Sequence, residues 1–397
     1  MHLKDASYQR RKLAIILTFL TIPFSGFLTD IYLPSFPSMA RSLSVTEQSV
    51  QYTLTAFFLS YGFAQLLVGS ILDSVGRQKP VVFSLIVLVA SSVGIALTQD
   101  VSVIIILRIV QGITTAFIVV AKRAFFVDLF EAEERKGYLS YFTIVWSAGP
   151  IVAPFLGGYL EELIGWKANF WFLAIYSSVL LIGELTVGGE TILEKSRFHL
   201  KTITSLYVSM LGNSGFLLGI LVLGLSYSVT MVFNIAGPFL VEEHFEFNAV
   251  VIGYCTLVLG VAWMLGGIIS KQVKSLRFNA KSMIGSMAQV GLVILLVLIG
   301  YQYDYLVLLV SFGFLIHICS GYLFTNFFTY NLLFFPKNAG IAGGLMGGLL
   351  YVITSLSSFV IASSGDINST FDMGIRYLMV SVILFLIVLV IIRRPFN

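Results

Sequence analysis

Asp30 stands in the stretch TDIYLPSFP (residues 29–37), at the end of a run that is otherwise almost wholly apolar. Arg108 lies inside a second apolar run, where a membrane arginine costs at least about 2.5–3.5 kcal/mol and needs a partner. In an apolar, partly wet cavity, desolvation raises a carboxyl pKa and a nearby arginine lowers it. These two residues therefore predict proton-carrying chemistry, with Asp30 as the carrier and Arg108 as the group that tunes it.

Two other interpretations of Asp30 stay open: a helix-end aspartate that reaches water, and a static ion pair. The predicted helix ends put Asp30 and Arg108 within a few ångströms of each other in depth, at about 1.5 Å per residue, so a contact is allowed. Asn234 occupies the equivalent place in the second half of the chain and cannot ionise. We therefore expect the first half alone to carry the coupling proton.

The elements that must position these residues are membrane helices. Of the 397 residues, 57% are hydrophobic and 11% are charged, whereas a spanning helix needs about 20 apolar residues. The alternating ten-residue segments of a membrane β-barrel are lacking. The sequence thus predicts an all-α integral membrane protein with twelve spans, at residues 13–33, 49–71, 80–98, 102–122, 138–160, 168–188, 207–235, 248–270, 280–300, 305–330, 339–363 and 374–392.

Lysine and arginine are concentrated on one side of these spans. Twenty fall in segments on the side of the two termini, three (Arg41, Lys167 and Arg376) fall on the opposite side, and Arg108 lies inside a span. Because short cytoplasmic loops carry the excess of positive charge, we expect both termini in the cytoplasm. The net charge of +4 then reflects membrane topology and not a nucleic-acid partner.

The chain also divides into two similar halves. In each half a polar residue is followed four positions later by proline, and then by two glycines seven residues apart: Asp30, Pro34, Gly62 and Gly69, and Asn234, Pro238, Gly260 and Gly267. Repeated halves are typical of transporters with a substrate site between them. We expect an N-terminal six-helix bundle (1–188), a cytoplasmic linker (189–204) and a C-terminal six-helix bundle (205–397).

Polar and aromatic side chains inside the spans are candidates for contact with a substrate. Arg108, Gln111, Thr115 and Lys122 share one stripe of the fourth predicted helix. His317 can titrate near neutral pH, but a lone histidine is also typical of hydrogen-bonded packing. The predicted substrate contacts are Gln111, Thr115, Lys122, Arg123, Tyr52, Tyr61, Trp146, Asn234, Trp263, His317, Tyr322 and Asn326.

The turn after the second span reads GSILDSVGRQKP, residues 69–80. Gly69 allows helices to approach closely, Asp73 ends the helix, Gly76 permits a tight turn and Arg77 anchors the loop; a plain basic loop is the alternative. This stretch resembles the loop signature of the major facilitator superfamily. The resemblance implies a charge network, with Asp73 and Arg77, that holds the two halves in one conformation. Two basic positions of the signature differ here: Ser74 and Gln78.

Three further stretches resemble proton-coupled members of that superfamily. They are DIYLPSFP in the first span, R-x-x-Q-G at residues 108–112, and SAGPIVAPFLGGYL in the fifth span. The first resembles the bicyclomycin-resistance-type exporters, the second resembles the fourth-helix motif of the proton-coupled members in general, and the third resembles the drug:proton exporters. The last is similar to the antiporter motif, which bends its helix and lets a helix of the other half pack against it; ordinary small-residue packing is the alternative. Its gating residues are Gly149, Pro150, Pro154, Gly157 and Gly158.

The resemblance implies a proton-coupled exporter that works by alternating access as a monomer in the inner (plasma) membrane of a bacterium. A proton symporter that imports a metabolite on the same fold is the main alternative. A membrane enzyme or a non-transporting receptor has less support, because the four histidines are scattered and no sensor domain is recognisable. Neither a cofactor nor a metal is expected, since the histidines and the two cysteines lack metal-ligand spacing.

The charges of the candidate cavity bear on the cargo. Opposite charge compensates for desolvation, so a cavity with more base than acid favours an anionic or zwitterionic molecule. We therefore expect a drug or an anionic metabolite such as a carboxylate siderophore. The basic candidates are Arg108, Lys122, Arg123 and His317, and the acidic ones are Asp30 and Glu184.

Overall fold

The computed structural model describes residues 2–192, 195, 200–273, 275–335, 339–365 and 367–393; some side chains between 132 and 147, and those of 202 and 339, lie outside the described part. Several helices begin at a side chain that accepts a backbone N–H, such as Asp100 and Asn248. The described helices are α1 (Tyr8–Thr21), α2 (Phe24–Asp30), α3 (Phe36–Leu43), α4 (Glu47–Val75), α5 (Gln78–Leu97), α6 (Val101–Leu129), α7 (Ala132–Ile164), α8 (Lys167–Thr186), α9 (Leu200–Leu211), α10 (Ser214–Phe239), α11 (Ala249–Gln272), α12 (Phe278–Gly300), α13 (Leu306–Leu332), α14 (Ala339–Ala362) and α15 (Thr370–Arg393).

Eleven segments of the described chain are long and apolar enough to cross a membrane. They are the N-terminal segment Tyr8–Leu43 and the segments that contain α4, α5, α6, α8 and α10 to α15, and α7 occupies the predicted fifth span. The all-α membrane architecture is thereby confirmed. Helix α9 begins inside the predicted linker, so the connection between the last helix of the first half and the next helix is shorter than expected.

The first span is longer and more broken than predicted. Its helix is interrupted at Pro23, and a 3₁₀ turn at Leu33–Ser35 separates α2 from α3, because proline lacks the N–H of a continuous helix. The segment reaches Leu43 and does not end near residue 33. Asp30 therefore lies well inside this segment, not one turn from its end, and is 1% exposed.

The same helix pairings occur in both halves. In the first half α4 packs on α6, and α5 packs on α6 and α8; in the second half α11 packs on α13, and α12 packs on α13 and α15. Between the halves, α4 packs on α14 and α7 packs on α11. These matched pairings are those of two pseudo-symmetric six-helix bundles.

Small residues of α7 let other helices approach it closely. A Cβ atom on Gly149 would lie 2.5 Å from a carbonyl oxygen of the first span, and one on Gly157 would overlap another. A Cβ atom on Gly158 would lie 2.5 Å from the carbonyl oxygen of Ala249 in the second half. Packing across the halves is thus seen at Gly158, whereas the other two glycines accommodate the first span. Two prolines of the motif lie inside the helix: Pro150 and Pro154.

One side of the protein is closed by polar contacts between the halves. On this acidic side, where α3 ends, Arg41 of the first half pairs with Glu242 and lies 3.9 Å from the carboxylate of Glu243. Nearby, the hydroxyl groups of Tyr52 and Ser363 are 3.1 Å apart. Charged and polar groups of both halves therefore hold the acidic side together.

On the opposite side, where α4 turns into α5, the contacts of α4 with the second half change along the helix. At Gly62, a Cβ atom would lie 2.7 Å from the carbonyl oxygen of Gly348 in α14. Two helical turns further on, at Gly69, no described atom lies within 4 Å of such a Cβ atom. Three residues before Gly69, the hydroxyl of Tyr207 in α9 donates a hydrogen bond to the carbonyl oxygen of Leu66 in α4 at 2.8 Å. Contact between α4 and the second half therefore extends to within one turn of Gly69, towards the basic side that carries Arg77 and Lys79. The close helix approach predicted at Gly69 is not made in this state.

Charge reversal at Arg41 tests whether its ion pair keeps the acidic side closed. In Arg41→Glu, repulsion from Glu242 replaces attraction. Because an exposed ion pair contributes about 0.2–1 kcal/mol, we expect a few-fold rise in the population that is open on this side. Spin labels at the exposed positions Ser42 and Tyr303, in a background with both cysteines replaced by serine, report the distance across it.

The exchange of the two charges is the control for this experiment. Arg41→Glu combined with Glu242→Arg restores the attraction and should restore the distance distribution of the parent protein. Unchanged distances in the single variant Arg41→Glu would show that the ion pair does not hold the closure.

Candidate functional site

Arg108 is completely buried in the first half, where protein groups replace its water. Its Nη1 atom donates hydrogen bonds to the carbonyl oxygen of Leu28 at 2.9 Å and to the side-chain oxygen of Gln111 at 2.8 Å. Its guanidinium carbon lies 4.4 Å from the ring centroid of Phe57 and 4.6 Å from that of Tyr32. One backbone carbonyl, one amide and two aromatic faces thus stabilise the cation.

Asp30 lies within electrostatic range of Arg108, but the two side chains are not joined. The Oδ2 atom of Asp30 accepts a hydrogen bond from the Thr29 hydroxyl at 2.8 Å. Within the described part of the chain, Oδ1 of Asp30 and Nε and Nη2 of Arg108 have no hydrogen-bond partner. The direct contact allowed by the sequence is therefore not made in this state. A buried unpaired polar group costs about 1–3 kcal/mol, and more when charged, so both groups gain from a change of partner.

Gln111 and Thr115 face the protein interior. Gln111 donates a hydrogen bond from Nε2 to the hydroxyl of Ser92 on α5 at 3.1 Å, and the Thr115 hydroxyl donates to the backbone carbonyl of Gln111 at 2.5 Å. The exposed fractions of the two residues are 0% and 1%. In this state they support Arg108 and do not offer the substrate contacts predicted for them.

Lys122 is paired inside the first half, contrary to the expectation that it faces a substrate. Its ammonium group forms an ion pair with Glu184 of α8, and the two side chains are 8% and 3% exposed. Such a pair is neutral overall, so Lys122 adds no net positive charge for a cargo. This partner could not be predicted from the sequence, because α6 and α8 are distant along the chain. The next residue, Arg123, is exposed and acts electrostatically on Tyr61 and Tyr351.

Aromatic side chains join the two halves at their centre. The ring centroids of Tyr61 and Tyr351 are 4.6 Å apart, that of Phe58 is 5.7 Å from Tyr351, and those of Tyr227 and Trp263 are 5.9 Å apart. The sequence predicted Tyr61 and Trp263 but missed the others, since 34 Phe and 18 Tyr residues offer no means of selection. The central aromatic cluster consists of Phe57, Phe58, Tyr61, Tyr227, Trp263 and Tyr351.

Three other predicted substrate contacts lie outside the central aromatic cluster. Tyr52 stacks on Phe359 with ring centroids 5.4 Å apart and belongs to the closure of the acidic side. Trp146 packs against an apolar group that includes Phe126 of α6. Asn234 is half-buried in α10. Tyr52 and Trp146 thus serve packing or closure in this state.

His317 is packed within the second half, which is the alternative that the sequence left open for it. Its Nδ1 atom donates to the carbonyl oxygen of Leu259 at 3.3 Å, and the hydroxyl of Tyr377 lies 3.2 Å from Nε2. On the same helix, Tyr322 packs against α12, and Asn326 donates a hydrogen bond to a serine of α12 at 3.0 Å. These three residues hold helices of the second half together.

Arg77 is the centre of a charged network on the basic side. Its Nε atom lies 2.5 Å from a carboxylate oxygen of Asp128, and its Nη2 atom lies 3.1 Å from Asp73. Gly76 has a φ of +100°, a conformation that favours glycine. In the described residues, this network stays within the first half and the start of the linker. The network implied by the resemblance is present, but here it does not join the two halves.

Comparison with known proteins identifies one family. The sequence model described as Major Facilitator Superfamily matches residues 18–358. The MFS-type transporter YdgK of Bacillus subtilis is 27% identical over 357 residues, which are 88% of this chain and 88% of that one.

Two relatives with drug-resistance names match over a shorter range. The bicyclomycin resistance protein homolog of Haemophilus influenzae is 35% identical over 177 residues, 44% of each chain. Multidrug resistance protein D of Escherichia coli is 28% identical over 209 residues, 52% of each chain. The match therefore spans about half of the length of these two relatives.

A solved structure has a similar fold. The human organic anion transporter MFSD10 superimposes with a TM-score of 0.65 over 95% of this chain and 99% of that chain, at 15% sequence identity. Identity this low supports the fold alone.

Breaking the Lys122–Glu184 pair should destabilise the protein. In Lys122→Ala the charge of Glu184 is left buried without a partner, which costs about 3–5 kcal/mol. We expect a large fall in the Tm of the purified protein or loss of folded protein from the membrane. The double variant Lys122→Met/Glu184→Gln removes both charges and should recover most of the stability. Arg123→Ala, at the exposed neighbouring residue, is the matched control; equal stability of Lys122→Ala and Arg123→Ala would contradict the pairing.

Proposed function

Because the chain belongs to the Major Facilitator Superfamily, we propose that it is a proton-coupled exporter of a small organic molecule. Two bundles, residues 1–188 and 205–397, rock against each other and expose a site between them to one side of the membrane at a time. The observation that carries this proposal is the pair of Asp30 and Arg108. Both are buried, both lie within electrostatic range of each other, and each has polar atoms without a partner in the described chain.

Protonation of Asp30 is the step that couples ions to movement. A neutral carboxyl group needs no counter-charge, whereas a carboxylate in the same place attracts the guanidinium group. Loss of the proton draws Arg108 away from Leu28 and Gln111 and towards Asp30, which shifts α6 against α2. Since the two protonation states favour different side-chain arrangements, they also favour different access states.

The state described above fits the loading step of an exporter. The feature that supports this assignment is the closure of the acidic side by Arg41 and Glu242. The positive-inside rule assigns the basic side to the cytoplasm, which also places both termini there. A cargo molecule then enters from the cytoplasm, and the release step requires that the acidic side opens.

The direction of transport rests on the α7 motif and on the relatives. The glycine- and proline-rich stretch at residues 147–160 is similar to the antiporter motif, and two relatives carry names that refer to drug resistance. Import of a metabolite together with protons is the second candidate, since the same fold and the same pair support either direction. Transport into or out of vesicles with an imposed pH gradient distinguishes the two.

The central aromatic cluster is the proposed contact surface for the cargo. It is contributed by both halves, so a molecule bound there affects the equilibrium between access states. The pairing of Lys122 with Glu184 removes one basic and one acidic candidate and leaves their difference unchanged. The excess of basic residues that favoured an anionic cargo is reduced instead at His317, which is packed against Leu259 and Tyr377 within the second half. We therefore assign an amphipathic molecule with an aromatic or other apolar portion, and a carboxylate siderophore becomes the less supported cargo.

Replacement of Asp30 by asparagine tests the coupling. Asp30→Asn keeps the shape of the side chain but cannot bind and release a proton. We expect pH-gradient-driven accumulation against a concentration gradient to fall at least tenfold, whereas passive exchange of cargo continues. Asp100→Asn, at an exposed helix cap, is the control. If the Asp30→Asn protein accumulates cargo as well as the parent, Asp30 is not the coupling residue.

Truncation in the central aromatic cluster tests the cargo surface. Tyr61→Ala removes a ring that contacts Tyr351, and stacking on such a ring contributes about 0.5–1.5 kcal/mol. We expect the KM for cargo to rise about two- to tenfold, and Tyr61→Phe, which keeps the ring, to stay near the parent value. Tyr301→Ala, at an exposed tyrosine on the acidic side, is the control. Equal KM values for Tyr61→Ala and the parent protein would exclude the cluster as the binding surface.

A further inference from the structure

Helix α5 begins without a capping side chain of its own. Its N-cap residue, Arg77, makes no side-chain capping hydrogen bond, and the first N–H groups of a helix have no partner within the helix. Here the carboxylate of Glu190 is the hydrogen-bond acceptor for these N–H groups. Both of its oxygens lie 3.0 Å from the backbone nitrogen of Arg77, and Oε2 lies 3.4 Å from that of Gln78. A carboxylate at this end also interacts favourably with the helix dipole.

The same carboxylate fixes the conformation of the linker that carries it. Glu190 Oε1 accepts hydrogen bonds from the backbone N–H groups of Thr191 at 3.0 Å and Ile192 at 3.1 Å. The hydroxyl of Thr191 donates to Asp128 at 2.6 Å, and the carboxylate of Asp128 also holds Arg77. The start of the linker is therefore folded around the charged network of the first half.

Contacts on either side of Glu190 extend this docking. Arg10 donates a hydrogen bond to the carbonyl oxygen of Gly188 at 2.9 Å. The backbone N–H of Leu3 donates a hydrogen bond to the carbonyl oxygen of Glu190 at 2.9 Å. Lys195 donates from its ammonium group to the carbonyl oxygen of Val75, the last residue of α4, at 2.8 Å. Gly188, Glu190 and Lys195 are thus each tied to the first half.

Gly76 is shaped to receive this carboxylate. A Cβ atom at Gly76 would lie 2.5 Å from Oε2 of Glu190, so any larger residue would displace it. Glycine is therefore favoured at position 76 for two reasons: its positive φ, and the space that the Glu190 carboxylate occupies.

The charge of Glu190 is retained at the pH of the cytoplasm. Partial burial opposes ionisation of the side chain, but hydrogen bonds from four backbone N–H groups outweigh it and lower the pKa of Glu190 below its usual value. A lowered pKa means that the interaction is present above the usual glutamate range and is lost only as the pH falls through the lowered value. The docking is therefore constant around neutral pH.

We propose that Glu190 is a positioning residue for transport, which clamps the start of the linker onto the α4–α5 turn. The clamp aligns Arg77 with Asp128 and makes the linker up to Lys195 move with the first half. From Lys195 to the start of α9 at Leu200 there are five residue steps, which span at most about 17 Å. Release of the clamp lengthens this tether and lets the two halves separate further on the basic side.

Loss of the carboxylate tests the clamp. Spin labels at Lys79 and Arg277, two exposed residues of opposite halves on the basic side, report the separation there; the Ser42–Tyr303 pair reports the acidic side. In Glu190→Ala we expect the basic-side distance distribution to broaden and to move outward by several ångströms, whereas the acidic-side distances stay the same. The turnover of transport should fall about tenfold, with a KM changed by less than twofold.

Three variants make the test specific. Glu190→Gln keeps one acceptor oxygen and should lie between the parent protein and Glu190→Ala; it also keeps the inference testable if the alanine variant does not fold. Thr191→Val removes only the contact with Asp128 and should have a smaller effect. Glu162→Ala replaces an exposed glutamate on the acidic side and should change neither distance.

The outcomes separate this inference from the proposed function on which its transport readout rests. Unchanged basic-side distances in Glu190→Ala and Glu190→Gln overturn the clamp. If the basic-side distances change in these variants but the turnover of transport equals that of the parent protein, Glu190 has no role in transport. If the parent protein itself shows no proton-coupled transport but the distances shift as expected, the proposed function fails and the clamp is supported.

Discussion

A charge inside a membrane must find its partners inside the protein, and this constraint governs the first half of the molecule. Lys122 and Glu184 form a buried ion pair, so each charge already has its partner. Arg108 is held by a carbonyl, an amide and two aromatic rings, while Asp30 is held by one hydroxyl. The first pair is complete and structural. Asp30 and Arg108 keep polar atoms without a hydrogen-bond partner in the described chain. A change of charge on Asp30 would therefore change which partner Arg108 prefers.

The second half meets the same constraint with neutral residues. On α13, the counterpart of α6, the buried polar residues include His317, which is held by a carbonyl and a tyrosine hydroxyl. The hydrogen bond between Gln289 and Ser320 joins α12 to α13, as that between Gln111 and Ser92 joins α5 to α6. The two bundles therefore share a packing plan but differ in charge. Under the proposed function, the proton moves through the first half, and the second half is the scaffold against which the first half rocks.

The two sides of the membrane are controlled by different kinds of contact. On the acidic side an exposed ion pair, that of Arg41 and Glu242, crosses between the halves. On the basic side the charges around Arg77 stay within the first half and take in the start of the linker through Glu190. An exposed ion pair contributes little free energy, so the closure at the acidic side is easily reversed. In the inference drawn above, the docking of Glu190 limits how far the two halves separate on the basic side.

The sequence by itself determined the membrane class, the approximate place of the spans, the family resemblance and the two buried residues, Asp30 and Arg108. These follow from local composition and motif, because apolar length and isolated charges are visible along the chain. It did not reveal that the first span continues to Leu43, since a proline kink breaks a helix without marking where the membrane segment ends.

Only the tertiary structure decided which side chains meet. The partner of Lys122 is on a helix some 60 residues away, the cap of α5 comes from the linker 112 residues away, and most of the central aromatic cluster has no distinguishing sequence context. The same holds for the gap between Asp30 and Arg108: similar depth in the membrane allows a contact, but rotation of the helices decides whether it is made. Pairing across helices depends on distances that periodicity along one helix does not contain, and for that reason it had to be seen in the folded chain.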